Sequence, residues 1–281
     1  MVNMGGDRCG GAREGVAVDT VIVRWSSPAG RARVDPSLWL PNADLRPTVR
    51  LRLLCFAHAG GGAAPFFRWG SALPGDVAVC PVRRPGRESA HAEPLLRDIK
   101  AIAAGSLRAL QSLPPRPTVL LGHSLGGLVA YEVARLMQSM GATPELLIVS
   151  AKPPPHVASA LPNLSHLPND RFLRELDALY GGIPKEIKAV PELLEMMLPV
   201  LRADMAASEN YRHASGARLR CPVVACHGDQ DRAVDPAGLT AWGELTDCAL
   251  ELKQFPGGHF YVYDPASGFL SWLRERLSPA R

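Results

Sequence analysis

The run "TVLLGHSLGG", residues 118–127, decides how the rest of the chain is read. Four residues, three of them apolar, enter a Gly-His-Ser-Leu-Gly turn, and "GLVAYEVARLMQS" leaves it with apolar residues at helical spacing. Strand, tight turn and helix form the context in which G-x-S-x-G lifts a serine to the C-terminal edge of a parallel sheet. Gly122 and Gly126 belong there because a Cβ at either position would crowd the strand or the helix. The bland alternative is a serine that only caps a helix. The strand before and the helix after make Ser124 a candidate nucleophile, placed where the helix dipole favours developing negative charge.

Working outward, five more short apolar runs bounded by Gly or Pro read as buried strands: "LRLLCF" (51–56), "DVAVCPV" (76–82), "ELLIVSA" (145–151), "PVVACHG" (222–228) and "LELKQF" (250–255). Between them, helix-period segments fall at about 94–112, 125–141, 236–246 and 268–278. The alternation predicts an α/β fold, a mostly parallel central sheet with helices on both faces. Residues 152–220 break it. They hold two amphipathic segments, "DRFLRELDALYGG" and "PELLEMMLPVLRADMAASENYR", and are too long for a connection, so they read as a helical lid. Residues 1–35, rich in Gly, Ala, Arg and Val, read as a weakly ordered extension, and residues 36–281 as the single domain.

Composition excludes several classes. The 281 residues are 47% hydrophobic, enough for one sizeable core. With 31 basic and 27 acidic residues and no Lys/Arg run interleaved with aromatics, nothing suggests nucleic acid. No apolar stretch is long enough for a membrane span, and no N-terminal leader pattern appears. Six scattered cysteines without metal-type spacing point to reduced thiols in the cytoplasm, with no metal expected.

A serine nucleophile needs a base, and the base needs an orienting carboxylate. In this strand–turn–helix context the chain order is Ser, then Asp or Glu, then His. His259, in "FPGGHFYVY" after the last strand, is the favoured base. His156, His166 and His213 fall in the lid, and His227 lies on a strand. "HGDQDRAV" offers Asp229 and Asp231, which spacing alone does not separate. The oxyanion of an acyl-transfer site needs two backbone donors. Leu125, after the nucleophile, is one; Ala59, in the glycine-rich "AHAGGG" (57–62), is the other. In the lid, Leu194, Met197, Leu198 and Leu201 share a helical face. Plain packing accounts for such a face; the functional reading makes Met197 and Leu201 part of an acyl channel.

"LLCFAHAGGGAAPFFRW", "RRPGRE", "GHSLGG", "HGDQD" and "GGHFYV" together resemble the type II thioesterases, the stand-alone editing enzymes of polyketide synthase and non-ribosomal peptide synthetase systems. The resemblance runs from about residue 37 to residue 275. It implies an α/β-hydrolase fold with a helical lid, and a triad that hydrolyses acyl groups from the phosphopantetheine arm of acyl or peptidyl carrier proteins without a cofactor. It puts the triad on Ser124, His259 and Asp231. Where the family often has Pro and Met, this chain has Ala57 and Leu125, which bears on pocket shape rather than chemistry. The resemblance implies acidic carrier domains, for which Arg83, Arg84 and Arg87 of "RRPGRE" are docking candidates at the entrance; the structural alternative is that they pair internally with Glu88 or brace the glycine-proline turn. A monomer is expected. The rival readings are a medium-chain acyl thioesterase or esterase on the same scaffold, and a carrier-binding protein without turnover.

Overall fold

The computed structural model describes residues 35–41, 43–183 and 189–279; the expectation of a weakly ordered extension falls outside these, apart from residue 35. Six strands form one sheet: β1 (Leu51–Phe56), β2 (Val77–Val82), β3 (Thr118–His123), β4 (Leu146–Ser150), β5 (Val223–Gly228) and β6 (Leu250–Phe255). Their order is β2-β1-β3-β4-β5-β6, and every pair is parallel. This is the α/β-hydrolase arrangement. β1, β3, β4 and β5 are buried at every position. Successive side chains point to opposite faces, so both faces of the sheet are covered, and unbroken runs of Val, Leu, Ile and Cys are the composition this demands. The edges differ. β2 accommodates Pro81, which lacks the ladder donor, and β6 places Glu251 and Lys253 in its half-exposed pattern.

Among the described residues, six α-helices accompany the sheet: α1 (Pro36–Trp39), α2 (Ile99–Gln111), α3 (Leu125–Ser139), α4 (Asn169–Tyr180), α5 (Pro191–Glu209) and α6 (Phe269–Leu277). α3 packs on β3, β4 and α2. α2 starts later than its periodicity predicts, because Asp98 caps it, accepting from the Ala101 amide at 2.7 Å. The expected helix at 236–246 is a run of 3₁₀ turns over Ala237–Leu245, where Gly238 and Gly243 weaken any α-helix. α1 had no sequence signal; Trp39 docks on Gly105 of α2, where a Cβ would lie 2.3 Å from its ring. Among the described residues, Cys55, Cys80, Cys221 and Cys226 are free thiols. Within those residues no helix is long and apolar enough to cross a membrane.

The chain runs from β1 outward to β2, then returns to the other side of β1 as β3. The loops leaving β1 and β3 therefore part at a switch point, the place in an open parallel sheet where ligands bind. α4 and α5 lie in the insertion between β4 and β5. They share a small core of Leu164, Phe172, Leu176, Ile183, Leu201 and Met205, distinct from the main one.

Candidate active site

Ser124 follows β3 with φ 55° and ψ −121°, a left-handed conformation that non-glycine residues rarely adopt. Its surroundings hold it there. A Cβ on Gly122 would stand 2.1 Å from the Gly126 carbonyl oxygen, and one on Gly126 would stand 2.1 Å from that of Phe56. Both glycines are thus fixed by close approach of α3 to β3 and β1. The Ser124 amide donates to Ser150 O at 2.8 Å, tying the turn to β4.

The loops after β5 and β6 are knitted together. The Asp229 amide donates to Phe255 O (2.8 Å), the Gln230 amide to Gly257 O (2.9 Å), and the Gly257 amide to Asp229 Oδ1 (2.8 Å). Gly257 has φ 117°, and a Cβ on Gly228 would strike the Gly257 oxygen at 2.3 Å. Asp229 is thereby spent on shaping the turn. Asp231 is not: its Oδ2 lies 2.8 Å from His259 Nδ1, while Oδ1 accepts from the Ala233 amide at 2.9 Å. An acceptor-only carboxylate at Nδ1 assigns the proton to that nitrogen and leaves Nε2 as acceptor. His259 Nε2 is 3.0 Å from Ser124 Oγ. Ser124, His259 and Asp231 thus form one hydrogen-bonded chain across 135 residues of sequence, with Asp231 and His259 almost wholly buried.

Two further imidazoles surround the chain. His123 is fully buried, its Nδ1 2.9 Å from Ser150 Oγ, which in turn lies 2.7 Å from Tyr261 OH. His58 sits 3.1 Å from Tyr263 OH through Nδ1. Burial, then the neighbouring His259 and His58, holds His123 well below the ordinary imidazole value. Burial, Arg84 and His259 bring His58 down to about 3. Both are neutral at physiological pH. From the lid, Tyr180 lays its ring 4.8 Å from that of His259, and burial and the nearby Asp231 and Glu209 push its hydroxyl up to about 12. A cavity of about 450 Å³ opens between the end of α4 and the His259 loop; Tyr180, Gln230, Asp231, Arg232, His259 and Phe260 are among its walls.

On the other flank, the loop after β1 presents Ala59. Its amide has no acceptor among the described residues. The Leu125 amide opens α3, where the first turn leaves donors without helical acceptors. Both N–H groups are therefore without an acceptor, on the chain segments that leave β1 and β3 at the switch point. Leu201 packs against Gly60, and Met197 lies half-buried at the edge of the lid core; neither lines the cavity near His259.

The arginines require a correction. Arg83, Arg84 and Arg87 are only 7%, 3% and 6% exposed and point inward, so they offer no docking surface. Arg83 donates to Leu38 O (2.8 Å), Ser37 O (2.7 Å) and Ser89 Oγ. Arg84 and Arg87 converge on Asp204 of α5 at 2.9 and 2.7 Å. Burial brings Arg84 down to about 10, and the facing Asp204 limits the fall, so it stays charged. Burial would raise the Asp204 carboxyl, but Arg84 and Arg87 outweigh it and hold it below its usual range. Sequence reasoning missed Asp204. The available signal was a carboxylate between Leu201 and Met205 on an otherwise apolar stripe.

Comparison with known proteins agrees with this geometry. The family model described as a thioesterase domain matches residues 51–276. The gramicidin S biosynthesis protein GrsT of Aneurinibacillus migulanus is 32% identical over 240 residues, covering 85% of this chain and 93% of its own. Thioesterase PikA5 of Streptomyces venezuelae is 37% identical over 234 residues, 82% of each chain. The solved structure of the type II thioesterase BorB from the borrelidin biosynthetic cluster superposes with a TM-score of 0.76 at 35% identity, over 86% of this chain and 98% of that one. The chain therefore belongs to the thioesterase family, among its type II thioesterases, and is a thioester hydrolase.

Proposed function

We propose that this enzyme frees acyl groups from the phosphopantetheine arm of carrier proteins, clearing stalled or aberrant units in polyketide or non-ribosomal peptide assembly. The observation that carries the reading is the hydrogen-bonded chain from Ser124 Oγ through His259 to Asp231. Relatives named for gramicidin S biosynthesis and for the borrelidin cluster support the biosynthetic setting.

Ser124 Oγ attacks the thioester carbonyl carbon while His259 Nε2 takes its proton. Asp231 holds the imidazole tautomer and stabilises the imidazolium. The amides of Ala59 and Leu125 receive the negative oxygen. The tetrahedral adduct collapses, the carbon–sulfur bond breaks, and the departing thiolate takes the proton from His259. Water then gives a proton to His259 Nε2 and attacks the acyl-serine; the second adduct releases the free acid and returns the proton to Ser124. No step calls for a metal or cofactor. Met197 and Leu201 complete the reading as acyl contacts: Leu201 abuts Gly60, next to Ala59. With Arg83, Arg84 and Arg87 turned inward, the carrier docks on another surface. The enzyme acts as a cytoplasmic monomer.

The test is a panel of acyl-loaded carrier proteins set against the same acyl groups on coenzyme A, with release of free acid followed by mass spectrometry. The reading expects carrier-bound substrates to be preferred. Preference for medium-chain acyl-coenzyme A would move the enzyme to the medium-chain alternative. Binding without release would make it a carrier-binding protein.

A further inference from the structure

The buried charge cluster that ties the lid to the sheet edge has a position that packing alone does not explain. Asp204 accepts four hydrogen bonds: Oδ2 from the Gly60 amide (2.7 Å), Arg84 Nη2 (2.9 Å) and Arg87 Nη1 (2.7 Å), and Oδ1 from Arg87 Nη2 (2.9 Å). The two arginines also grip the loop after β1. Arg84 donates to Ala57 O (2.9 Å), His58 O (2.8 Å) and Gly61 O (2.9 Å), and Arg87 to Gly61 O (2.9 Å).

The peptide planes on either side of Ala59 are the ones that matter. The Ala59 N–H belongs to the plane whose carbonyl is His58 O, and in a trans peptide the two point in opposite directions. Arg84 holds that carbonyl together with the Gly61 amide (3.1 Å), and so shares in fixing where the N–H points. The next plane carries the Gly60 N–H, held by Asp204. Gly60 has φ +81°, and Leu201 of the same lid helix leaves no room for a Cβ there. Both planes are thus clamped by one cluster whose central charge is supplied by α5.

We infer that Asp204 is a positioning residue for the oxyanion hole: acting through Gly60 and Arg84, it aims the Ala59 N–H at the oxygen of the tetrahedral adduct. The inference rests on the thioester-hydrolase reading. It separates Asp204 from an ordinary buried ion pair, because an ion pair that only holds the fold together alters stability without distinguishing ground state from transition state. A misaimed oxyanion donor weakens the transition state alone.

The experiment compares wild type with Asp204→Asn and Arg84→Lys. Folded sites are counted by fluorophosphonate labelling run to completion. The readouts are KM and single-turnover acylation with an acyl N-acetylcysteamine thioester, and the affinity of an alkyl boronic acid whose serine adduct carries a tetrahedral oxyanion. Loss of one oxyanion donor costs on the order of 10²–10³ in rate. The expected result is a fall of that order per folded site in acylation, a parallel weakening of the boronate, and a KM within about threefold of wild type. Unchanged boronate affinity and acylation per folded site would overturn the inference, as would a rise in KM at constant acylation rate. If the variants do not fold, hydrogen exchange on wild type replaces them. The Gly60 amide is expected to open together with residues 201–209; independent opening of the loop overturns the assignment. A wild type that ignores thioester, fluorophosphonate and boronate alike refutes the hydrolase reading itself, whereas a responsive wild type matched by its variants refutes only the role of Asp204.

Discussion

The sheet edge and the lid become ordered by different means. Every position of β1, β3, β4 and β5 is buried, and the Ser124–His259–Asp231 chain hangs on loops that leave such strands or are hydrogen-bonded to them. In the lid, α4 buries only Phe172 and Leu176. α5 buries nothing before Leu201, and Met196 is 73% exposed. The lid keeps a small core of its own and meets the catalytic floor through Leu201 and Asp204. The hydrogen-bonded chain of Ser124, His259 and Asp231 is thus seated on the ends of the central sheet, while the loop that presents Ala59 is braced by a helix only half of which is buried.

The largest effect expected is on the floor. Ser124→Ala should lower turnover by about 10⁴–10⁶ while a fluorophosphonate ceases to label the protein. Labelling of another serine, or near-normal turnover, would remove Ser124 from its role. Next come the two aspartates of one turn. Asp231→Asn should cost about 10⁴ in kcat, because an amide at His259 Nδ1 supports the wrong tautomer. Asp229→Asn should cost less than about tenfold, since an amide oxygen still accepts from Gly257. The reverse order would transfer the role to Asp229.

A smaller effect sharpens the contrast in stability. Phe172→Ala removes the centre of the lid core, a change that typically costs about 3–5 kcal/mol. Hydrogen exchange should accelerate in α4 and α5 while the strands keep their protection. Uniform loss across the sheet would show the two cores to be one cooperative unit. The smallest effect concerns pH. His58 and His123 are held neutral in the fold, whereas the unfolded chain takes up their protons near pH 6.5. Stability should be full above that value and fall with acidification, by about 1.4 kcal/mol per pH unit for each histidine, until His58 protonates in the folded state at about 3. Denaturant melts between about pH 5 and 6 should show a slope smaller by about one proton in His58→Gln than in wild type. A flat profile would contradict the burial argument.

The sheet was legible because strands buried on both faces must be apolar throughout, and all six appeared as short runs close to their final limits. The strand-end loops were legible for a related reason: glycines mark where backbones approach, as at Gly122 and Gly126. Side-chain direction inside a turn was not. Asp229 and Asp231 stand two apart, and only the fold turns one toward Gly257 and the other toward His259. The arginines misled because local charge reads as surface. The counter-ion of Arg84 and Arg87 lies 117–120 residues away, on a helix whose docking angle no sequence pattern records.

Pro199 sits between the exposed and buried halves of α5. It has no N–H to give the Glu195 carbonyl, so the helix is missing one rung at that level. The cheapest bend in α5 therefore falls there, with Met196 and Met197 on the swinging side and Leu201 and Asp204 on the side that stays seated. Residues 191–198 lie on the exposed side of that break, while residues 201–209 carry Leu201 and Asp204, which meet the loop that presents Ala59. One helix thus carries an exposed half and a half seated against the catalytic loops, divided at a single missing rung.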